Sequence, residues 1–144
     1  MCIKSWRVVN KMGRCMKSLS LLLTIMLVFE GGKAKKTVQI INNLSNKQEL
    51  TFHCKSKNDD LGIHTIKSGQ TYSFSFNPCF FCTTLFFCSF AWPSDPSSHY
   101  FDIFDDHRDW CDNVCARKIT ESGPCTIDEY NHNVDKCYPW NHKQ

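Results

Sequence analysis

Ten cysteines in 144 residues constrain this chain more than any other feature, and their meaning depends on the compartment. In the cytosol they would point to metal sites or redox chemistry, and outside the cell to disulfides. The N-terminus decides between the two. Residues 1–17 carry Lys4, Arg7, Lys11, Arg14 and Lys17 with no acid before Glu30, and residues 19–29 form an apolar run. Gly32 and Ala34 then offer the small residues that signal peptidase accepts. Basic start, apolar centre and small-residue exit predict a secretory signal peptide over residues 1–34, followed by one domain over 35–144. The apolar run is shorter than the ~20 residues that span a bilayer, so no stable membrane insertion is expected. Initiation at Met16 gives a more compact leader than Met1, with Met12 as a third start.

Removal of that leader changes the bulk charge. Six of the 17 Lys and Arg and one of the 14 Asp and Glu precede residue 35, so 11 basic and 13 acidic residues remain, a net charge of −2. The basic footprint of a nucleic-acid binder goes with it. Eight cysteines remain: Cys54, Cys79, Cys82, Cys88, Cys111, Cys115, Cys125 and Cys137. An even number in an oxidising compartment reads as a disulfide framework whose pairing the sequence leaves open.

The chain after residue 34 alternates like strands. Val38, Ile40 and Leu44 share one face of residues 37–44 with Asn42; Leu50, Phe52 and Cys54 share one face of 48–55; Tyr72, Phe74 and Phe76 do so in 71–76. Period two marks half-buried strands. Residues 83–92 are apolar on both faces and read as a central strand. Residues 99–104 and 117–120 are weaker candidates, and 126–127 opens a last short one. Turn residues cluster at 45–47, 58–62, 67–69, 93–96 and 122–124. The expected fold is all-β, a small disulfide-stabilised β-sandwich of about six to eight short antiparallel strands.

Several of these blocks occur in an order that resembles a known family: VQIINNL at 38–44, LTFHCKSKNDDLG at 50–62, YSFSF at 72–76, TLFFC at 84–88 with Trp92, FDIFD at 101–105, then Arg108-Asp109, Cys111, Cys115, Gly123 and Cys125. Together they are similar to the plant self-incompatibility S1 family, the S-protein homologues, over residues 37–125. The resemblance implies a secreted β-sandwich with stabilising disulfides. For the stigma members of poppy it implies a ligand that meets a pollen membrane partner and triggers calcium-dependent growth arrest. Arg117 stands where the family commonly has tryptophan, Cys79 and Cys82 fall where its usual pattern has no cysteine, and residues 126–144 form a diverged tail with Cys137.

The sequence offers few groups for chemistry. Cys79 and Cys82 form a C-x-x-C, but no βαβ context supports a redox dithiol. A structural bridge, with Cys137 among the available partners, fits better. The same pair with Cys111 and Cys115 could be written as a four-thiolate zinc site, which secretion disfavours. Asp59-Asp60 and Asp105-Asp106 lack the spacing of a calcium loop and read as turn carboxylates. Asn43-Leu44-Ser45 is a glycosylation sequon at Asn43. Neither cofactor nor metal is expected.

The sequence therefore predicts a secreted, monomeric signalling or recognition ligand for a cell-surface or membrane protein partner, and not an enzyme. Loops 58–62, 78–82 and 93–98 are the expected contacts, with Asp59, Asp60, Phe80, Phe81 and Asp95 as their candidate residues. Two alternatives come from other classes. An extracellular ribonuclease-like or hydrolytic toxin would use His107, Asp106 and His132. A cell-wall sugar-binding module would use exposed aromatics.

Overall fold

The computed structural model describes residues 34–127 and 136–142; the leader expected over 1–34 falls outside them except for Ala34. Nine strands occur among the described residues: β1 (Lys36–Asn42), β2 (Leu50–Lys55), β3 (Asp60–Ile66), β4 (Thr71–Phe76), β5 (Leu85–Trp92), β6 (Asp95–Asp105), β7 (Val114–Thr120), β8 (Gly123–Thr126) and β9 (Lys136–Cys137). A single 3-10 turn, Ser45–Lys47, follows β1. The strands form two sheets, ordered β4-β1-β7-β8-β9 and β3-β2-β5-β6.

Alternation drives the assembly. Val38, Ile40 and Asn42 of β1 and Leu50, Phe52 and Cys54 of β2 are buried while their neighbours are not. The inner faces meet through aromatic rings: Phe52 lies 5.3 Å from Tyr72, Phe86 4.7 Å from Phe76, and Phe76 4.9 Å from Phe104. Large apolar side chains in close contact across two sheets make the sandwich core. Asn42, 1 % exposed, is the polar exception. Its Nδ2 donates to the carbonyls of Gln48 (2.8 Å) and Ile66 (3.0 Å), and its Oδ1 accepts from the Leu44 amide at 3.1 Å. A fully bonded buried amide ties three strand ends together at little desolvation cost.

The structure corrects four sequence readings. β1 runs antiparallel to β4 but parallel to β7, with Thr37 opposite Val114, so the sheets are not wholly antiparallel. Period two reports which face is buried and says nothing about direction. β5 is an inner strand, yet only one face is buried: Phe86, Cys88, Phe90 and Trp92 point inward while Leu85 and Phe87 are exposed. β3 begins inside the expected turn at 58–62, and β6 begins at Asp95, inside the expected turn at 93–96. β3 escapes hydropathy because its pattern is inverted: Ile63 is 72 % exposed while His64 turns in, 4.2 Å from the Tyr72 ring. A register shift between His53 and Lys55 accompanies this inversion, and Gly62 nearby has φ +76°, a conformation that favours glycine.

The tail is part of the domain. β9 pairs with β8, the Tyr138 amide donates to the Pro124 carbonyl at 2.9 Å, and the Asn141 amide donates to the Tyr100 carbonyl at 2.8 Å. This strap therefore touches both sheets. It also explains Gly123, where a Cβ would fall 2.0 Å from the Tyr138 carbonyl oxygen.

Candidate functional site

All eight cysteines after residue 34 are bridged: Cys54–Cys88, Cys79–Cys82, Cys111–Cys115 and Cys125–Cys137. The first joins two inner strands across a sequence separation of 34 and is buried. Cys79 and Cys82 join each other and not Cys137, which closes on Cys125 and fixes the strap. The oxidised sulfurs rule out the four-thiolate zinc arrangement, since thiolate ligands must be reduced. Among the described residues no cluster of three or more His, Cys, Asp or Glu is placed to hold a metal.

Two of these bridges close short loops at one end of the sandwich. The β4–β5 connection carries Cys79–Cys82 around Phe80 and Phe81, and the β6–β7 connection carries Cys111–Cys115 just after Trp110. Phe81 is 89 % exposed, Trp110 90 % and Phe80 53 %. Phe80 and Phe81 pack edge to face, 4.7 Å between centroids. Three large rings thus stand in solvent on cross-linked loops instead of joining the core.

The two loops are tied together. His107 Nε2 and Thr83 Oγ1 are 3.1 Å apart, and the Asp106 amide donates to the Thr84 carbonyl at 3.1 Å. Lys36 Nζ donates to the carbonyls of Cys111 and Asp112. Between them lies an open cavity of about 850 Å³, lined by Phe80, Phe81, Thr83, His107 and Trp110 among others.

Beneath Trp110 is a buried ion network. Arg108 binds Asp109 through two bonds, Nε to Oδ1 and Nη2 to Oδ2, both 2.9 Å. Arg117, 3 % exposed on the inward face of β7, donates from Nη2 to Asp109 Oδ1. Burial pushes the Asp109 carboxyl up, but the Arg108 hydrogen bonds and the Arg117 and Arg108 charges outweigh it and hold the carboxyl below its ordinary value. Burial pushes Arg108 down, and its bonds to Asp109 outweigh that and leave it raised. Arg108 also stacks on Phe101, 4.7 Å from the centroid. Arg117 thus occupies an inward position whose charge is met by the residue preceding Trp110.

The expected contact residues divide. Asp59 and Asp60 lie at the aromatic end, but both are engaged: Asp59 Oδ2 accepts from Ser56 Oγ at 3.0 Å, and Asp60 meets His53, the Gly62 amide and Lys55. The bond from His53, then those from Gly62 and Lys55, hold the Asp60 carboxyl far below its ordinary value. Asp95 lies at the opposite end, bonded to Ser97 and to His99 Nε2 at 2.9 Å, and residues 95–98 belong to β6. Loop 93–98 therefore does not join the other two. Trp110, absent from the candidates, does. Its signal was an isolated tryptophan inside the polar stretch DWCDN at 109–113, beside a cysteine. Asn43 is exposed just past the far end of β1 from Lys36. His132 lies outside the described residues.

A family model described as plant self-incompatibility protein S1 matches residues 37–140. The chain belongs to that family. The match runs past residue 125, through β9 and the strap. S-protein homolog 2 of Arabidopsis thaliana is 49 % identical over 114 residues, covering 75 % of this chain and 70 % of the relative. S-protein homolog 5 of the same plant is 45 % identical over 108 residues, covering 74 % and 79 %. A solved structure of SPH (self-incompatibility protein homologue) proteins, described as a widespread family of small, highly stable, secreted proteins from plants, superposes with a TM-score of 0.55. It is 16 % identical and covers 78 % of this chain and 99 % of that one, supporting the same fold. As an S-protein homologue the chain is a secreted plant protein, and these relatives are not named as enzymes.

Proposed function

We propose that this S-protein homologue is an extracellular recognition ligand that meets a cell-surface or membrane protein partner through the end built by loops 56–59, 77–84 and 106–113. The observation that carries this reading is the exposure of Phe81 and Trp110 on adjacent disulfide-closed loops. Neither side chain contributes to the core, and each costs apolar exposure in water, so a use outside the fold accounts for them. The hydrolase alternative is weaker. His107 meets the Thr83 hydroxyl on an exposed rim, not a second histidine aimed at a common phosphate.

Residues 1–34 act as the export leader on this reading, and the secreted protein begins near Lys35 as a monomer. A glycan on Asn43 would sit at the opposite end from the aromatic loops and leave them clear. Among the described residues no helix is long and apolar enough to cross a membrane. The test is saturable binding of labelled protein to intact pollen or seedling surfaces, with a Phe80→Ala/Phe81→Ala/Trp110→Ala variant beside it. Binding should fall to background while folding stability stays within ~0.5 kcal/mol. Unchanged saturable binding would discard this end as the contact surface.

A further inference from the structure

We infer that the cavity between the two aromatic loops binds a neutral pyranose oligosaccharide. The inference rests on the reading of this end as the contact surface and names the chemistry of what it meets. The cavity of about 850 Å³ falls within the ~300–1,000 Å³ of small-ligand sites. Its walls combine two kinds of surface. Phe80, Phe81 and Trp110 offer exposed rings, and aromatic faces suit the C–H-rich faces of pyranose rings. Asp106, His107, Asp112 and Asn113 line the same space with acceptors and donors that suit sugar hydroxyls.

The charges select among ligands. Among the described residues lining this cavity, Lys36 is the lysine, already bonded to the Cys111 and Asp112 carbonyls, while Asp112 is acidic. Phosphates, uronic acids and anionic lipid headgroups would therefore meet like charge without a free cationic clamp. A bilayer is disfavoured by placement as well. Seating Trp110 in acyl chains would draw Asp112 and Asn113, its near neighbours in the loop, out of water without partners. Neutral sugars need no cation, and their hydroxyls can replace the water that the carboxylates give up. The disulfides contribute by holding both loops near their binding geometry, so little ordering entropy is lost on association.

Such a sugar has two sources, a wall polysaccharide or the glycan of a surface glycoprotein, and the test carries both. Secreted, oxidised protein is titrated with neutral hexasaccharides of glucose, mannose and xylose, with a free plant N-glycan, with an oligogalacturonide, and with phosphatidylcholine vesicles. Tryptophan fluorescence and amide–side-chain NMR report binding. At least one neutral sugar should bind with a dissociation constant of about 1 mM or tighter, shift the Trp110 signals, and weaken about tenfold or more in Trp110→Ala and in Phe81→Ala. Absence of binding at ~10 mM overturns the inference. So does binding confined to the galacturonide or the vesicles, or sugar binding indifferent to both variants. Cell-surface attachment measured on the same variants separates the two claims. Lost attachment with no sugar binding leaves the contact end standing and removes the sugar. Intact attachment with sugar binding abolished does the reverse.

Discussion

The two ends of the sandwich use the same residue types in opposite ways. At the end where β1 finishes, connections are closed by hydrogen bonds. Ser45 donates from its amide (2.8 Å) and hydroxyl (2.6 Å) to Glu121 Oε1, and the Ser94 amide donates to Gln48 Oε1 at 2.9 Å. The aromatics there turn inward. Trp140 lies 5.5 Å from Phe90 and 6.0 Å from Trp92, and His99 stacks on Trp92 at 4.5 Å. At the end where β1 begins, two short loops are closed covalently and three aromatics turn outward. Hydrogen bonds were sufficient to close turns at the first end. The cross-links at the second are therefore better explained by the need to hold rings that have no core to hold them.

That contrast can be broken most strongly beneath Trp110. Asp109→Ala would leave Arg108 and Arg117 without their shared carboxylate, and it should cost about 3–5 kcal/mol in denaturant unfolding. Retention of stability would mean that the network does not support the loop. The same carboxyl sets an acid limit. Because its folded-state value is depressed, its contribution is complete above the ordinary value of 3.8 and is lost as pH falls below it. The melting temperature should therefore show a decline below about pH 4 that is reduced in Asp109→Asn.

Removing the buried bridge with Cys54→Ala/Cys88→Ala should also cost about 3–5 kcal/mol, since it closes a long loop in the unfolded chain. Cys79→Ala/Cys82→Ala closes a loop of only four residues and should cost about 2 kcal/mol or less. Its larger effect should be on cell-surface attachment. Equal losses of stability would erase the distinction between core and rim bridges. The tryptophans sharpen the same point. Trp140→Ala should destabilise by about 2–4 kcal/mol, while Trp110→Ala should stay within ~0.5 kcal/mol and lose attachment.

Much of the fold was legible because burial imposes period two on β1, β2 and β4, and because an even cysteine count in an export context implies bridges. β3 was hidden by its inversion, with Ile63 out and His64 in. The parallel neighbour of β1 was hidden because direction leaves no mark on alternation. Half of the candidate site could be read from Phe80 and Phe81, apolar residues stranded between strands. Trp110 carried a local signal but not its role, which depends on two connections, 22 or more residues apart, arriving at one end. Asp60 shows the converse: a turn carboxylate that looked available is held by its own sheet.

The strand order also fixes a timetable. β2, β3, β5 and β6 lie between residues 50 and 105, so the sheet they form is translated as nearly one block, with its Cys54–Cys88 bridge inside it. β1 is made earlier, yet it occupies an inner place and must wait for Val114 to arrive opposite Thr37. At ~5–20 residues per second, that wait is about 4–15 seconds. The nascent protein can therefore complete and cross-link one sheet while an inner strand of the other still has an open edge.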